Sequence, residues 1–213
     1  VILIACGLLR EARVMRGIVV VGGGDFVRLE AELDAAAAGA RVILSSGIAG
    51  AVDPGLKAGD VVIGGSDGLV AALRKILPDA RVGTVVGSDA IVATVADKRA
   101  LYERTGALAV DMESHIAARV AARHGVPFAA LRVISDAADE ALPPAALVGM
   151  RADGRMALGP VVASLARRPG QLPALIRTGV SAGRAFRSLE RCHDVLGRLG
   201  IGEFDLGEFA LDV

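Results

Sequence analysis

The sequence has no tryptophan, and aromatic residues make up only 3% of its 213 positions. That scarcity removes the stacking platforms on which single-stranded nucleic acids are held. The chain also lacks a dominant charge, because 24 Lys and Arg balance 24 Asp and Glu. A net charge of zero provides no overall field for a polyanion, so no nucleic acid is expected as a partner. Cysteine is nearly absent. Cys6 and Cys192 have neither metal-ligand spacing nor the number for a disulfide framework, which points to a reducing, cytoplasmic setting and to no metal site. No apolar run approaches the ~18 residues of a membrane span. Residues 1–9 have the length of a signal-peptide core, but Arg10-Glu11-Ala12-Arg13 follow directly, and the segment reads as a first buried strand.

What is plentiful is apolar residue, at 53%, and glycine, at 27 positions. The first supplies a core; the second supplies tight turns or close backbone approach to a ligand. Strand-length apolar runs at 1–5, 18–21, 41–45, 60–63, 81–86, 109–110 and 128–134 alternate with helix-period segments at 8–15, 26–38, 69–77, 88–106 and 114–124. Asp25 is placed to cap the 26–38 helix and Gly39 to stop it. Such alternation predicts an α/β fold with a largely parallel sheet between helical layers. From 158 to 199 the periodicity is helical throughout, with breaks expected at Pro169-Gly170 and Pro173. Residues 151–200 carry nine Arg against Asp153, Glu190 and Asp194, and the acidic tail Glu203, Asp205, Glu208 and Asp212 offsets part of that excess. Two regions follow: residues 1–150 as a catalytic α/β domain and 151–213 as a basic helical extension packed on or beside it.

In open parallel sheets, ligands sit beyond the carboxyl ends of the strands. Gly22-Gly23-Gly24 is such an end, but Val27 stands where a dinucleotide fingerprint needs glycine, so a tight turn is favoured over a phosphate cradle. The small turn Ser45-Ser46-Gly47-Ile48-Ala49-Gly50 offers main-chain N–H groups to a ligand or simply packs closely. Asp111-Met112-Glu113 precede a helix, where capping and core filling compete with a functional role. Ser135, Asp136 and Asp139 close a buried strand, with the same two readings. Glu11 is either a first-turn helix acid or a site carboxylate. His115, His124 and His193 lack ligand spacing and read as structural.

Three segments taken together resemble the nucleoside phosphorylase superfamily, and within it the methylthioadenosine/S-adenosylhomocysteine nucleosidases. They are Ser46-Gly47-Ile48-Ala49-Gly50 with Leu56-Lys57-Ala58-Gly59-Asp60-Val61-Val62, Val110-Asp111-Met112-Glu113-Ser114, and Arg132-Val133-Ile134-Ser135-Asp136-Ala137-Ala138-Asp139. The resemblance spans about residues 1–140. Residues 150–200 are similar to the extension of the hopanoid-associated phosphorylases, through Leu165-Ala166-Arg167-Arg168-Pro169-Gly170-Gln171-Leu172-Pro173.

The resemblance implies a three-layer α/β/α sandwich with a helical C-terminal extension, no cofactor, and a homodimer. It implies cleavage of the N-glycosidic bond of an adenine nucleoside, with adenosylhopane as the lipid-linked substrate. Asp136 would serve purine N7, Glu113 and Met112 the ribose, and Glu11 the attacking water. Ser46, Gly47, Ile48, Ala49, Gly50, Ser135 and Arg132 would contribute substrate contacts. Ser45 and Ile48 stand where phosphorylases carry Arg and Ser or Thr for phosphate, which favours hydrolysis over phosphorolysis. The rival class is a non-catalytic nucleotide-binding module on the same fold, which the presence of all three carboxylates disfavours. Residues 158–199 combine apolar residues with Arg167, Arg168, Arg177, Arg184, Arg187, Arg191 and Arg198. Peripheral contact with an anionic membrane or a lipid substrate is expected there, against the alternative of a cap packed on the sheet.

Overall fold

The computed structural model describes residues 1–148, 154–155 and 157–198. The acidic tail read at 203–212 lies outside the described residues. Strands β1 (Ile2–Cys6), β2 (Ile18–Val21), β3 (Val42–Ala51), β4 (Val61–Gly65), β5 (Arg81–Val82), β6 (Val85–Gly87), β7 (Ala109–Asp111) and β8 (Phe128–Asp136) form one eight-stranded sheet. Its main path runs β2-β1-β3-β8-β4-β5, and β7 joins the far end of β3 with β6 beside it.

Period-two alternation along the strands builds the layers. Leu3, Ala5 and Ile43 face α2 (Phe26–Ala37) and α5 (Ser114–His124), meeting Leu29, Leu33, Ile116 and Val120. Their neighbours Ile4, Cys6, Val42 and Leu44 face the opposite way. With Leu131 and Val133 they meet Leu69 and Leu73 of α3 (Asp67–Ile76) and Leu189 and Leu196 of α8 (Leu172–Arg198). The result is a three-layer sandwich of the nucleoside phosphorylase type with a long C-terminal helix. Burying Leu189 and Leu196 contributes roughly 1.5–3 kcal/mol each. The C-terminal half of α8 therefore completes the core, and its basic face is only part of its surface.

Several sequence expectations change. Residues 46–50 are strand rather than turn, because β3 continues through them and pairs parallel with β8 from Ile43–Phe128 onward. On one side their backbone groups pair with β8; on the other, beyond the end of β1, the Ile48 N–H is left to meet Glu11. The sheet is mixed, with β4 antiparallel to β8 and β7 antiparallel to β3. The 81–86 run divides into β5, which pairs β4, and β6, which pairs β7. The helix expected over 8–15 is the single turn α1 (Leu9–Ala12). That expected over 88–106 begins only at α4 (Val95–Thr105), where Thr94 accepts the Asp97 N–H. Asp25 caps α2 as expected, but the helix ends at Ala37 without help from Gly39; left-handed glycines end α4 and α5, at Gly106 and Gly125. Pro173 lies in the first turn of α8, where a missing N–H does no harm, so only Pro169-Gly170 separates α8 from α7 (Leu158–Arg167).

Candidate active site

Strands β1, β3 and β8 run parallel; the β1–β3 pairing stops at Ala5–Ser45 while β3 and β8 pair on to Gly50–Asp136, and β7 folds back along the end of β3. A cavity of about 180 Å³ opens there. Glu11, Ile48, Ala49, Gly50, Met112, Glu113, Ser135 and Asp136 line it, with Asp111 beside them. Ala90, Ile91, Val92 and Leu142, with Gly7, Leu8 and Val110, form the remaining wall. The three carboxylates singled out in the sequence thus come from three separate strand ends into one space.

Glu11 is held by main chain alone. Its Oε2 accepts the N–H groups of Gly7 and Leu8 at 2.9 and 2.8 Å, and its Oε1 accepts that of Ile48 at 2.8 Å. Burial nevertheless outweighs these bonds and the nearby Arg132, and raises its pKa. Close packing explains two glycines. A Cβ on Gly7 would stand 2.6 Å from Glu113 Oε1, and one on Gly47 would stand 2.6 Å from Glu11 Oε1. Substitution at either would displace a carboxylate.

Arg132 is fully buried beneath the cavity. Its Nη2 pairs with Asp111 and donates to Ser45, and its Nη1 lies 3.5 Å from Glu113 Oε2. Asp111 also accepts the Ser114 N–H at 3.1 Å and the Ser114 hydroxyl, so it caps α5 while it neutralises the guanidinium. Burial works against the charge on Arg132, but Asp111, Glu113 and Glu11 outweigh it and raise its pKa. Burial, joined by repulsion from Asp111 and Glu11, lifts Glu113 well above the usual carboxylate range despite Arg132. Such a carboxylate holds a proton near neutrality and is sensitive to any positive charge arriving beside it.

Asp136 has a different environment. Lys98 donates to its Oδ2 at 2.5 Å, and the Ser135 hydroxyl lies 2.6 Å from its Oδ1. Lys98 escaped sequence reasoning because Asp97-Lys98-Arg99 looks like any solvated charge run on a helix. Ala90, Ile91 and Val92 were missed because their segment was read as helix.

The remaining candidates lie away from the cavity. Arg132, Ser46 and Gly47 are not among the residues that line it. Ser46 is fully buried and shares a 2.8 Å hydrogen bond with His193 of α8. Burial lowers the His193 pKa to about 4, so it is neutral at pH 7. His115 and His124 meet Asp89 and Asp34 at the surface. Burial raises the thiol pKa of both Cys6 and Cys192, leaving them protonated and unreactive. Among the described residues, no group of three His, Cys, Asp or Glu could hold a metal ion.

The fold is that of the nucleoside phosphorylases and nucleosidases. Residues 65–158 match the sequence model of the Phosphorylase superfamily. Among solved structures, futalosine hydrolase of Helicobacter pylori aligns with a TM-score of 0.65 at 16% identity, over 93% of this chain and 97% of that one. The 5′-methylthioadenosine/S-adenosylhomocysteine nucleosidase of the same organism, bound to butyl-thio-DADMe-Immucillin-A, gives 0.65 at 18% identity over 95% and 98%. S-adenosylhomocysteine nucleosidase of Streptococcus pyogenes, in complex with 5-methylthiotubericidin, gives 0.64 at 18% over 93% and 96%. No curated protein sequence matches the chain.

Proposed function

We propose that the protein is a nucleosidase that hydrolyses the N-glycosidic bond of an adenine nucleoside. The observation that carries this reading is the convergence of Glu11, Glu113 and Asp136 on one cavity. Breaking the bond between C1′ and the purine moves its electron pair into the base and leaves positive charge on the sugar. Asp136 faces the purine and passes a proton to N7 as that charge develops, and the proton that Glu11 takes from water restores the balance through solvent. Glu113, above Met112, faces the sugar cation. Glu11 takes a proton from water as its oxygen bonds to C1′, giving adenine and a ribosyl product.

Water is favoured over phosphate because, among the described residues, no Lys or Arg lines the cavity beside Glu11 and Glu113 to hold a dianion. The nearby guanidinium of Arg132 is already engaged by Asp111. Ser45 points into the buried Arg132 network instead of serving an anion.

The substrate we infer is lipid-linked, adenosylhopane in hopanoid biosynthesis, handled by a homodimer at the membrane surface. Leu158, Val162, Leu172, Ile176 and Val180 of α7 and α8 are exposed. No acidic residue occurs from 154 to 189, a stretch with six Arg. An exposed apolar and cationic surface of this kind suits an anionic bilayer. Among the described residues no helix is long and apolar enough to cross a membrane.

The test is incubation with adenosine, methylthioadenosine and adenosylhopane, with and without phosphate, followed by chromatography. Free adenine and an unphosphorylated sugar, formed fastest from the lipid nucleoside, are expected. Strict phosphate dependence with a sugar 1-phosphate product would overturn hydrolysis. Faster cleavage of methylthioadenosine, together with no flotation on anionic liposomes at low salt, would overturn the lipid assignment. Light scattering checks the dimer.

A further inference from the structure

We propose that Lys98 is a positioning residue, which fixes the carboxylate of Asp136 in the orientation that meets the purine. Resting on the nucleosidase reading above, this assigns a part to a residue outside the cavity wall. The Lys98 side chain has 0% exposure, and its ammonium donates to Asp136 Oδ2 at 2.5 Å, Ala137 O at 2.7 Å and Glu140 O at 2.7 Å. All three of its protons are thereby used, and none remains for a substrate. Its influence must pass through Asp136 and the turn that follows β8.

That turn is closed on itself by Ala137 N to Glu140 Oε2 at 3.2 Å and by Glu140 N to Ala137 O at 3.1 Å. Leu142 N to Ala93 O at 2.9 Å ties the following chain to the segment before α4. Lys98 therefore joins α4, the turn and the carboxylate into one rigid unit. The Ser135 hydroxyl, 2.6 Å from Oδ1, engages the other carboxylate oxygen. With both oxygens held, the plane of the carboxylate is set before any purine enters.

Stability alone gives a weak reason for a fully buried ion pair, since apolar residues of similar volume fill such a site at least as well. Preorganisation gives a strong one, because a group already aimed at developing charge need not reorient during the reaction.

The experiment measures kcat and KM for an adenine nucleoside that the wild type cleaves, in Lys98→Met, Lys98→Arg, Asp136→Asn and the double variant Lys98→Met/Asp136→Asn, with circular dichroism to establish folding. For Lys98→Met, kcat should fall on the order of 10²-fold with KM changed only a few-fold, because the lost orientation matters most in the transition state. Lys98→Arg keeps the charge without the three-way clamp and should lose about 10-fold. The double variant should be no slower than Asp136→Asn, since Lys98 acts through that carboxylate. Wild-type kcat in a folded Lys98→Met protein, or losses that multiply in the double variant, would overturn the proposal. Should Lys98→Met fail to fold, Lys98→Arg decides: reduced kcat at unchanged KM supports the assignment, and wild-type kcat overturns it. A wild type that releases no adenine from any nucleoside overturns the nucleosidase reading beneath it, a result distinct from either of these.

Discussion

The two ends of the cavity solve the problem of buried charge in opposite ways. At the Asp136 end, one carboxylate meets one ammonium, and both are hydrogen-bonded within a closed turn. At the Glu113 end, Glu11, Glu113 and Asp111 surround the single guanidinium of Arg132. The first end is balanced and geometrically fixed. The second carries more acid than base; burial raises the pKa of both Glu11 and Glu113, and repulsion from Asp111 and Glu11 adds to the rise at Glu113. Acids whose pKa is raised in this way resist ionisation until a cation forms beside them, and their ionisation then stabilises that cation. On the proposed reaction, that is the sugar as its bond to the purine breaks.

This contrast requires different responses from the two ends. The largest is expected at the acid-rich end: Glu11→Gln should reduce hydrolysis to background while circular dichroism stays unchanged, because an amide cannot take the proton from water. Asp136→Ala should lower turnover by on the order of 10²–10⁴, measured as adenine release by a protein that remains folded. Near-normal release from Asp136→Ala would remove the purine end from the mechanism.

Next in size is a stability effect. Arg132→Met leaves three buried carboxylates without their cation, and urea unfolding should show a loss of about 3–5 kcal/mol. A much smaller loss would mean that the acids discharge simply by taking up protons.

The smallest effects are pH-dependent. His193, beneath β3 through Ser46, has its folded pKa lowered to about 4 from 6.5. The unfolded chain binds the proton more readily, so this stability is complete above pH 6.5 and is lost as pH falls toward 4. The loss is on the order of 3 kcal/mol, and His193→Gln should remove that part of the pH dependence in urea titrations. Glu113 acts with the opposite sign. Its folded pKa is raised, so stability is greatest below the unfolded value of 4.5 and declines as pH rises through the folded one. Glu113→Gln should flatten that decline, and an unchanged slope would refute the strained acid-rich end.

The sequence by itself determined the alternation of strands and helices that builds the layers, and marked three acids as candidates. The continuous apolar run Leu3-Ile4-Ala5-Cys6, buried on both faces, and the spacing of Leu29 and Leu33 on one helix face are legible in the linear pattern. Glu11 and Asp136 stand where strands end, and the family resemblance singled out Glu113 with them. Only the tertiary structure decided which groups surround them. Lys98, in a charged helix 38 residues before Asp136, is buried because the turn after β8 closes over it. Ser46 was legible as a small residue of a glycine-rich segment, yet it turns away from the cavity because β3 continues as a paired strand and His193 reaches it from α8. Burial, pairing partner and shifted pKa are properties of what packs around a residue from distant chain, and a linear pattern contains no record of that neighbour.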